Sequence, residues 1–388
     1  HSQKRLLAQY VKHRLGEVMA NLVISLLWLL FSGGDARDLS DIMDTHAPSQ
    51  AQGVRERRLF SMFTVVKFQN TPCLGNNGKN GTCFTPVECT QLQGSQQGMC
   101  ASGFGVCCII LRPCMGTTNK NCTYWEGTAG NCQLEVQKCS PDICQLRLDF
   151  EQFTLAQPGP NGVCQTDQFT VTGGQNSVPA ICGENTGQHM YIDTVSNAAP
   201  CKLNIASTGN MANRRWRIKV SQIPCCDYKA PEGCLQYFTA STGQIRSFNF
   251  IRDNAGKKLS NQDYAVCIRM NVNNCGVCYS QCDPTKNDFS ISGMNTNMNT
   301  DSMDSEAGGT DCTTDFITIP CATTDNEKPT DCEAIRFCGG SLNENADAVP
   351  APVYTFRKPF VMRVMFDGND DPNNNLKGFC INYAQQLC

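Results

Sequence analysis

The chain has 388 residues, a net charge of −3 and only 17% charged side chains, and its mean hydropathy is −0.32. These values are typical of a soluble globular protein, and the length predicts two or three domains. The basic residues form no continuous stripe. Because the phosphate backbone of a nucleic acid is bound by clustered Lys and Arg, the sequence argues against a nucleic-acid partner.

Cysteine is unusually frequent, with 27 copies that all lie from Cys73 onward. Some are adjacent, such as Cys107 with Cys108 and Cys225 with Cys226. This usage is typical of an oxidising compartment, so we expect a secreted, extracellular protein whose cysteines form disulfides. Because 27 is odd, at least one cysteine is expected to be free or bonded to another chain, which would give a disulfide-linked oligomer.

An apolar run extends from Leu22 to Phe31, interrupted only by Ser25, and is followed by small residues and then by charge. This pattern predicts a signal peptide at residues 19–36. A helix of about eleven residues rises only ~16 Å against a hydrocarbon core of ~30 Å, so the run is too short for a membrane span. Residues 1–18 are interpreted as upstream readthrough or a long first region of the signal peptide.

The residues that end at Arg58 have the R-x-R-R pattern of a secretory processing site, in a polar stretch without cysteine. Cleavage after Arg58 would make residues 37–58 a pro-segment, because a protease reaches exposed and extended backbone. The alternative interpretation is a solvated run of charges. After such cleavage His189 would be the only histidine of the chain.

Six cysteines between Cys73 and Cys108 are separated by 9, 5, 10, 6 and 0 residues, with glycines marking tight turns between them. So short a segment cannot bury a sufficient core, so we expect three disulfides to stabilise it. The spacing with its adjacent final pair resembles the clip domain of arthropod extracellular proteins. That resemblance implies the pairs Cys73–Cys107, Cys83–Cys100 and Cys89–Cys108, whereas the cysteines alone leave other connectivities open.

From Cys114 onward apolar and polar residues alternate in short segments bounded by Gly, Pro and Asn, which predicts many strands and no convincing helix. A degenerate repeat divides this part into residues 114–224 and 226–388. In the repeat we match the segments at Cys122 and Cys234, and we match the closing strand at residues 216–220 with the one at residues 360–366. Two copies of a β-sandwich module are expected.

The order of cysteines and strands, with C-x-x-D at Cys164 and Cys312 and a later Cys-Gly in each copy, resembles the CUB domain. The fold class expected is all-β, with two CUB-like antiparallel β-sandwich domains at residues 114–224 and 226–388. A small disulfide-rich clip-like module at residues 73–108 precedes them, as in secreted arthropod CUB-domain proteins. The resemblance implies the disulfides Cys164–Cys182 and Cys312–Cys338, and Cys321 with Cys332 is expected to hold a hairpin extension.

Residues 283–311 form a polar segment with Met-Asn-Thr repeats inside the second copy. Its apolar content is too low for packing, so we expect a mobile loop.

Catalytic chemistry finds little support in the sequence. His189 has no serine in a G-x-S-x-G pattern to activate, and we expect it to be structural or on the surface. Cysteines committed to disulfides offer no thiolate to zinc. We therefore expect no catalytic residue and no resident cofactor, with calcium as the single exception to consider.

The calcium argument comes from the resemblance, because some CUB domains hold calcium with a Glu, the Asp of C-x-x-D and a later Asp. Asp167 and Asp315 are in the C-x-x-D positions. The expected Glu is missing from both copies, where Ala156 and Ser292 stand instead.

In the second copy Asp367, Asp370 or Asp371 could supply the later carboxylate, so Asp315 and Asp367 are the candidate calcium ligands. The alternative interpretation is that Asp167 and Asp315 accept hydrogen bonds from backbone amides in turns.

Two N-x-S/T patterns, at Asn80 and Asn121, are candidate glycosylation sites, and the cysteine inside the second makes it the poorer acceptor. The function expected is non-enzymatic binding of an extracellular protein or glycan through the CUB-like domains. The alternatives are a non-catalytic regulator of an extracellular protease cascade and a disulfide-linked structural component of a matrix.

Overall fold

The structure, a computed structural model, describes residues 68, 70–194, 199–226, 229–252, 256–286, 288–292, 305–307, 312–327, 334–343, 349–368, 370 and 375–388. Residues Val66–Cys388 form one compact unit. The predicted signal peptide at 19–36, the pro-segment at 37–58 and its processing site at Arg58 lie outside the described residues. Within the described residues, no helix has the length and apolar character needed to cross a membrane.

The fold is almost entirely β, as the sequence predicts. The small module contains β1 (Pro72–Leu74), β2 (Asn80–Phe84), helix α1 (Pro86–Gln91), β3 (Gly94–Cys100) and β4 (Gly105–Arg112). The first sandwich contains β5 (Met115–Thr118), β6 (Thr123–Gly127), β7 (Cys132–Val136), β8 (Ile143–Thr154), β9 (Asp167–Thr172), β10 (His189–Asp193), β11 (Cys201–Ser207) and β12 (Arg215–Pro224). 

The second sandwich is built in the same way from the strands that follow. They are β13 (Cys234–Phe238), β14 (Thr242–Arg246), β15 (Gln262–Ile268), β16 (Asn274–Gln281), β17 (Phe289–Ser290), β18 (Ser305–Ala307), β19 (Phe316–Pro320), β20 (Ala322–Thr323), β21 (Ala334–Gly339), β22 (Val353–Thr355), β23 (Phe360–Phe366) and β24 (Gly378–Leu387).

Helix α1 is the element that the sequence analysis missed. Thr85 caps its first turn by accepting the Glu88 N–H at 3.2 Å, and the Glu88 carboxylate accepts the Thr85 N–H at 2.9 Å. Pro86 occupies the first helical position, where no N–H partner is needed. Thr-x-x-Glu is the sequence signature of this reciprocal cap, so the helix could have been predicted from it.

The small module shares a sheet with the first sandwich. One eight-stranded sheet has the order β1-β2-β4-β6-β12-β8-β10, with β3 also paired to β4. Strand β4 runs parallel to β6, with Ile110 opposite Thr123, so the predicted boundary at residue 108 falls inside a strand. The side chain of Tyr124 in β6 is fully buried, and its hydroxyl accepts the Asn80 N–H at 3.0 Å. The small module is therefore anchored to the sandwich by backbone and by side chain.

The first sandwich closes that sheet against a second one, with the order β5-β7-β11-β9. Alternate residues of the strands point inward, as in β11, where Cys201, Leu203 and Ile205 are buried. Trp125 and Trp216 pack with ring centroids 5.6 Å apart, and both are at most 1% exposed. Aromatic pairs of this kind contribute about 0.5–1.5 kcal/mol beyond the burial of their area.

The second sandwich has two six-stranded sheets, ordered β13-β15-β23-β19-β21-β18 and β14-β24-β16-β22-β20, with β17 paired to β24. Each sandwich starts with a parallel pair, β5 with β7 and β13 with β15. This topology corrects two parts of the predicted repeat. Strand β23 pairs with β15 and β19, as β11 pairs with β7 and β9, so β23 is the counterpart of β11. Residues 216–220 lie in β12, whose counterpart in the second sandwich is β24 and not residues 360–366.

The disulfides give the same correction at the start of the repeat. Cys114–Cys132 and Cys234–Cys267 each link the parallel pair of a sandwich, so the counterpart of Cys234 is Cys114, and Cys122 is a free, buried cysteine.

Part of the segment predicted as a mobile loop belongs to the second core. Phe289 and Ile291 are fully buried, and Phe289 pairs with Phe379 of β24. Asp288 is also buried, where the guanidinium of Arg252 neutralises it at 2.6 Å. The prediction of a loop was wrong for residues 288–292, because a few apolar residues between polar ones are enough to complete a core edge. Residues 293–304 and 308–311 lie outside the described part of the chain.

Candidate functional site

The two C-x-x-D carboxylates lie at corresponding positions of the two sandwiches, at the starts of β9 and β19, and each meets a basic side chain. In the first sandwich Arg214 Nε and Nη2 donate to the two oxygens of Asp167 at 2.9 and 2.8 Å. The Asp167 and Arg214 side chains are 0% and 6% exposed. The Ala156 N–H also donates to Asp167 Oδ2 at 2.9 Å. This is the backbone amide that the alternative interpretation expects.

Burial alone would raise the pKa of Asp167, but hydrogen bonds from Arg214 and the Ala156 N–H hold it below its ordinary value. Arg214 Nη2 also donates to Ser207 Oγ at 2.7 Å and to the Gly209 carbonyl at 2.8 Å. The two side chains therefore form a buried, hydrogen-bonded ion pair that ties the loop after β11 to the start of β9.

In the second sandwich the ammonium group of Lys258 lies between two carboxylates. Its Nζ is 2.8 Å from Asp315 Oδ2 and 2.8 Å from Asp370 Oδ1, and the Lys258 side chain is 1% exposed. The ring of Phe366 covers the same nitrogen at 4.7 Å from its centroid. Burial raises the pKa of Asp315 above its ordinary value, although Lys258 works in the opposite direction.

Of the two candidate calcium ligands, Asp315 directs its carboxylate at this centre. Asp367 contributes its backbone N–H, which donates to Asp315 Oδ1 at 2.8 Å. The carboxylate that completes the centre is Asp370, one of the alternatives. Sequence reasoning missed Lys258 and Arg214, since each lies far along the chain from its carboxylate.

His189 is buried and structural. Its Nε2 lies 3.1 Å from both the backbone N–H and the carbonyl oxygen of Tyr237, and its tautomer decides which of the two it bonds. Its ring packs edge-on against Tyr191 and Phe238. Burial, reinforced by the positive charge of Arg147, lowers the pKa of His189 to about 4. The imidazole is therefore neutral at physiological pH, and its Nε2 is bonded to the backbone of Tyr237.

His189 belongs to a junction that holds the two sandwiches together edge to edge, with β10 beside β13. The Gly233 N–H donates to Asp193 Oδ2 at 2.9 Å, and the Gln145 side chain exchanges two hydrogen bonds with the backbone of Ala230 at 2.8 and 3.0 Å. These side chains satisfy backbone groups beside and along the edge of β13. A buried strand edge needs such partners.

A second set of contacts extends the junction. Asn249 donates its N–H to Asn185 Oδ1 at 2.8 Å, and its own Oδ1 accepts the Glu184 N–H at 2.8 Å. The Ser260 N–H donates to the Gly162 carbonyl at 3.0 Å. Direct hydrogen bonds thus join the two modules at two separate places.

The structure places the cysteines named from the resemblance in the implied pairs. They are Cys73–Cys107, Cys83–Cys100, Cys89–Cys108, Cys164–Cys182 and Cys312–Cys338. Cys321 is disulfide-bonded, and its expected partner Cys332 lies outside the described residues. Five further bridges were not foreseen: Cys114–Cys132, Cys144–Cys225, Cys234–Cys267, Cys275–Cys388 and Cys282–Cys380.

Five described cysteines are free: Cys122, Cys139, Cys201, Cys226 and Cys278. Burial raises the pKa of four of them, to about 11 for Cys201, and Cys226 is exposed. A thiol with a raised pKa is a poor nucleophile, because the thiolate is the reactive form.

An apolar groove of about 480 Å³ crosses the outer face of the sheet at β13, β15 and β23. Its lining includes Tyr237, Ile268, Met270, Pro359 and Val361. Met270 is 50% exposed, and nearby Val272 is 88% exposed, so the apolar surface continues beyond the groove.

The two glycosylation candidates differ in accessibility. Asn80 is exposed, whereas Asn121 Oδ1 accepts the N–H groups of Cys122 and Gln222 at 2.8 Å each. The Thr123 hydroxyl of the second pattern is fully buried. Both groups that a glycosyltransferase must reach are therefore engaged at Asn121.

We predict that protein secreted from eukaryotic cells carries glycan on Asn80 and none on Asn121. Enzymatic deglycosylation converts a glycosylated Asn to Asp, which peptide mass spectrometry detects. The matched control Thr82→Val removes the Asn80 pattern and should abolish the modification. Conversion at Asn121 would contradict the prediction.

Residues 231–386, which contain the second sandwich, match the family model described as the animal CUB domain. CUB domains are typically non-catalytic modules of extracellular proteins that mediate interactions with other proteins. No curated protein matches the chain.

Among solved structures, the chain is similar to the CUB1-EGF-CUB2 domains of rat MASP-1, with 13% identity, 70% of this chain and 100% of that chain covered, and a TM-score of 0.22. The CUB1-EGF-CUB2 domain of human MASP-1/3 is 14% identical, with 69% of this chain and 94% of that chain covered and a TM-score of 0.24. The full extracellular region of zebrafish Gpr126/Adgrg6 is 10% identical, with 71% of this chain and 37% of that chain covered and a TM-score of 0.22. TM-scores this low establish no common arrangement of domains.

Proposed function

We propose that the chain is a secreted, non-enzymatic binding protein that recognises an extracellular protein partner through its CUB-like sandwiches. One observation carries the proposal: the two C-x-x-D carboxylates and His189 are buried and engaged in structural bonds. Asp167 is bonded to Arg214, Asp315 to Lys258, and His189 to a backbone amide. A catalytic acid or base must be free to exchange a proton with a substrate, and these groups are not.

The groove on the outer face of the second sandwich is the proposed contact surface. We infer a protein segment with an apolar side chain as its occupant, because the lining is apolar and exposed Met270 and Val272 extend it. The charges of Glu232 and Arg269 at its lining would orient the partner. Apolar anchors surrounded by polar groups are the usual source of binding energy in protein interfaces.

Other parts of the proposal follow from exposed groups. Cys226 is an exposed free cysteine, so a disulfide to another chain would form there. No resident cofactor is required. A glycan on Asn80 would mark the small module as solvent-facing in the secreted protein.

The test compares binding of purified extracellular proteins and glycans to the immobilised full chain and to two variants. Met270→Glu places a charge in the groove, and we expect affinity for a protein partner to fall by about tenfold or more. Val349→Glu is the matched control, because Val349 is 71% exposed and is not part of the groove lining. Equal loss in both variants would place the site elsewhere.

Catalysis would contradict the proposal in a different way. A hydrolytic activity toward peptides or esters that disappears in a folded His189→Ala variant would make the chain an enzyme, whatever it also binds.

A further inference from the structure

The contacts of the candidate carboxylates in the second sandwich show whether calcium can bind there. Calcium requires about six to eight oxygen ligands at roughly 2.3–2.6 Å. Among the described contacts, Asp315 Oδ2 and Asp370 Oδ1 converge on the centre, and both lie 2.8 Å from the nitrogen of Lys258, which is an ion-pair distance. Calcium does not fit this centre while the ammonium group is there.

The remaining carboxylate oxygens have other partners. Asp315 Oδ1 accepts the Asp367 N–H at 2.8 Å, and Asp370 Oδ2 accepts the Ser260 hydroxyl at 2.6 Å. Ser292, which stands where the family's Glu is expected, accepts the Gly339 N–H with its hydroxyl at 2.8 Å. These three oxygens, which could otherwise join a calcium shell, are therefore already used within the protein.

We propose that Lys258 is the chain's own cation at this centre, and that the second sandwich and its junction with the first assemble without calcium. One ammonium between two carboxylates leaves one formal negative charge. The cation–π contact with Phe366 and the near-complete burial of the Lys258 side chain keep the ammonium in place. A metal ion would have to displace an ammonium group whose side chain is only 1% exposed.

The same centre reaches the first sandwich, which gives the internal cation a second role. The hydroxyl of Ser260 lies 2.6 Å from both Asp370 Oδ2 and the carbonyl oxygen of Asn161. Gly162, at φ +76°, passes so close that an added Cβ would lie 2.7 Å from the Lys258 carbonyl oxygen. Lys258 therefore fixes the Asp370 carboxylate that holds Ser260 at the junction.

The first sandwich uses the same solution with different residues. Arg214 neutralises Asp167 with two hydrogen bonds, and the Arg214 side chain is 6% exposed. Two independent C-x-x-D positions in one chain are thus each paired with a basic side chain of the chain itself. This repetition supports replacement of a bound cation at both sites.

Equilibrium dialysis measures how much calcium the purified full chain binds. A second measurement gives the thermal unfolding midpoint of the chain in excess calcium and in EDTA. For the wild-type chain we expect no stoichiometric calcium and no difference between the two midpoints. For Lys258→Met we expect a lower midpoint in EDTA, because two buried carboxylates then face each other. Added calcium should raise that midpoint by several degrees, since it supplies the missing positive charge.

Lys286→Met is the matched control, because the Lys286 side chain is 60% exposed and its carboxylate partner is 4.0 Å away. It should leave both midpoints unchanged. If Lys258→Met does not fold, the variant that combines it with Asp315→Asn and Asp370→Asn removes the unpaired charges, and we expect it to fold without a response to calcium. One calcium bound per wild-type chain, lost in Asp315→Asn, would overturn the proposal.

Discussion

Changing Asp167 to Asn is expected to lower the free energy of unfolding of the first sandwich by about 3–5 kcal/mol. The substitution keeps the shape of the side chain but removes its charge, which leaves the guanidinium of Arg214 buried without a counter-ion. Taking one partner from a buried ion pair costs far more than the pair contributes in net stability, because the remaining charge has lost its water as well. The side chains of Asp167 and Arg214 are 0% and 6% exposed, so the cost of an unpaired buried charge applies to this pair.

The measurement is urea unfolding followed by tryptophan fluorescence, which reports on this sandwich. Trp125 and Trp216 lie in its core, and the third tryptophan, Trp28, precedes the described residues. Glu126→Gln is the matched control, because Glu126 forms an ion pair with Arg217 at 2.7 Å in the same sandwich but is 36% exposed. Exposed pairs contribute about 0–1 kcal/mol, so this change should be small.

A second variant separates the lost charge from lost packing. The combination of Asp167→Asn with Arg214→Met removes both charges, and we expect it to be more stable than Asp167→Asn alone. If the single and the double variant unfold at the same urea concentration, the unpaired guanidinium is not the cause of the loss.

The sequence predicts the all-β class well because strand periodicity is local. Alternation in residues 146–150 or 169–171 is visible without knowledge of any partner strand. The matching of strands between copies is less reliable, because several strands have the same alternation. Strands β11, β12 and β24 all fit the pattern of β23, and only hydrogen-bonded pairing shows that β11 is its counterpart.

The chemistry of the candidate site shows a different limit. The C-x-x-D motif identifies Asp167 and Asp315, because its residues are adjacent in sequence. The partners Arg214 and Lys258 come from distant loops, and Lys258 follows Lys257 in a Gly-Lys-Lys segment that gives no sign of which one is buried. Only the fold brings each cation to its carboxylate. For the same reason, the junction around His189 could not be predicted from local sequence.

Acidification is expected to destabilise the junction between the sandwiches through His189. Its pKa is about 4 in the folded chain, against an ordinary value of about 6.5, with burial as the main cause. Below pH 6.5 the unfolded chain binds a proton that the folded chain excludes, so stability falls as the pH decreases toward 4. The full loss corresponds to about 3 kcal/mol, and it is absent above pH 6.5.

The groups that face the imidazole support this direction. Arg147 disfavours a second positive charge, while Asp149 and the backbone of Tyr237 favour it more weakly. Protonation therefore places a charge among aromatic rings beside the edge of β13. The contact between β10 and β13 should weaken before either core does.

The check is the free energy of unfolding of wild type and His189→Gln, measured by urea denaturation at intervals from pH 7.5 to 4.5. Glutamine can accept the Tyr237 N–H but does not titrate, so its profile should lack the decline that histidine causes. Carboxylates such as Asp167 affect both proteins equally, and the difference between the profiles isolates His189. Parallel profiles across this range would show that another group causes the acid sensitivity, and that His189 is already accessible to protons in the folded chain.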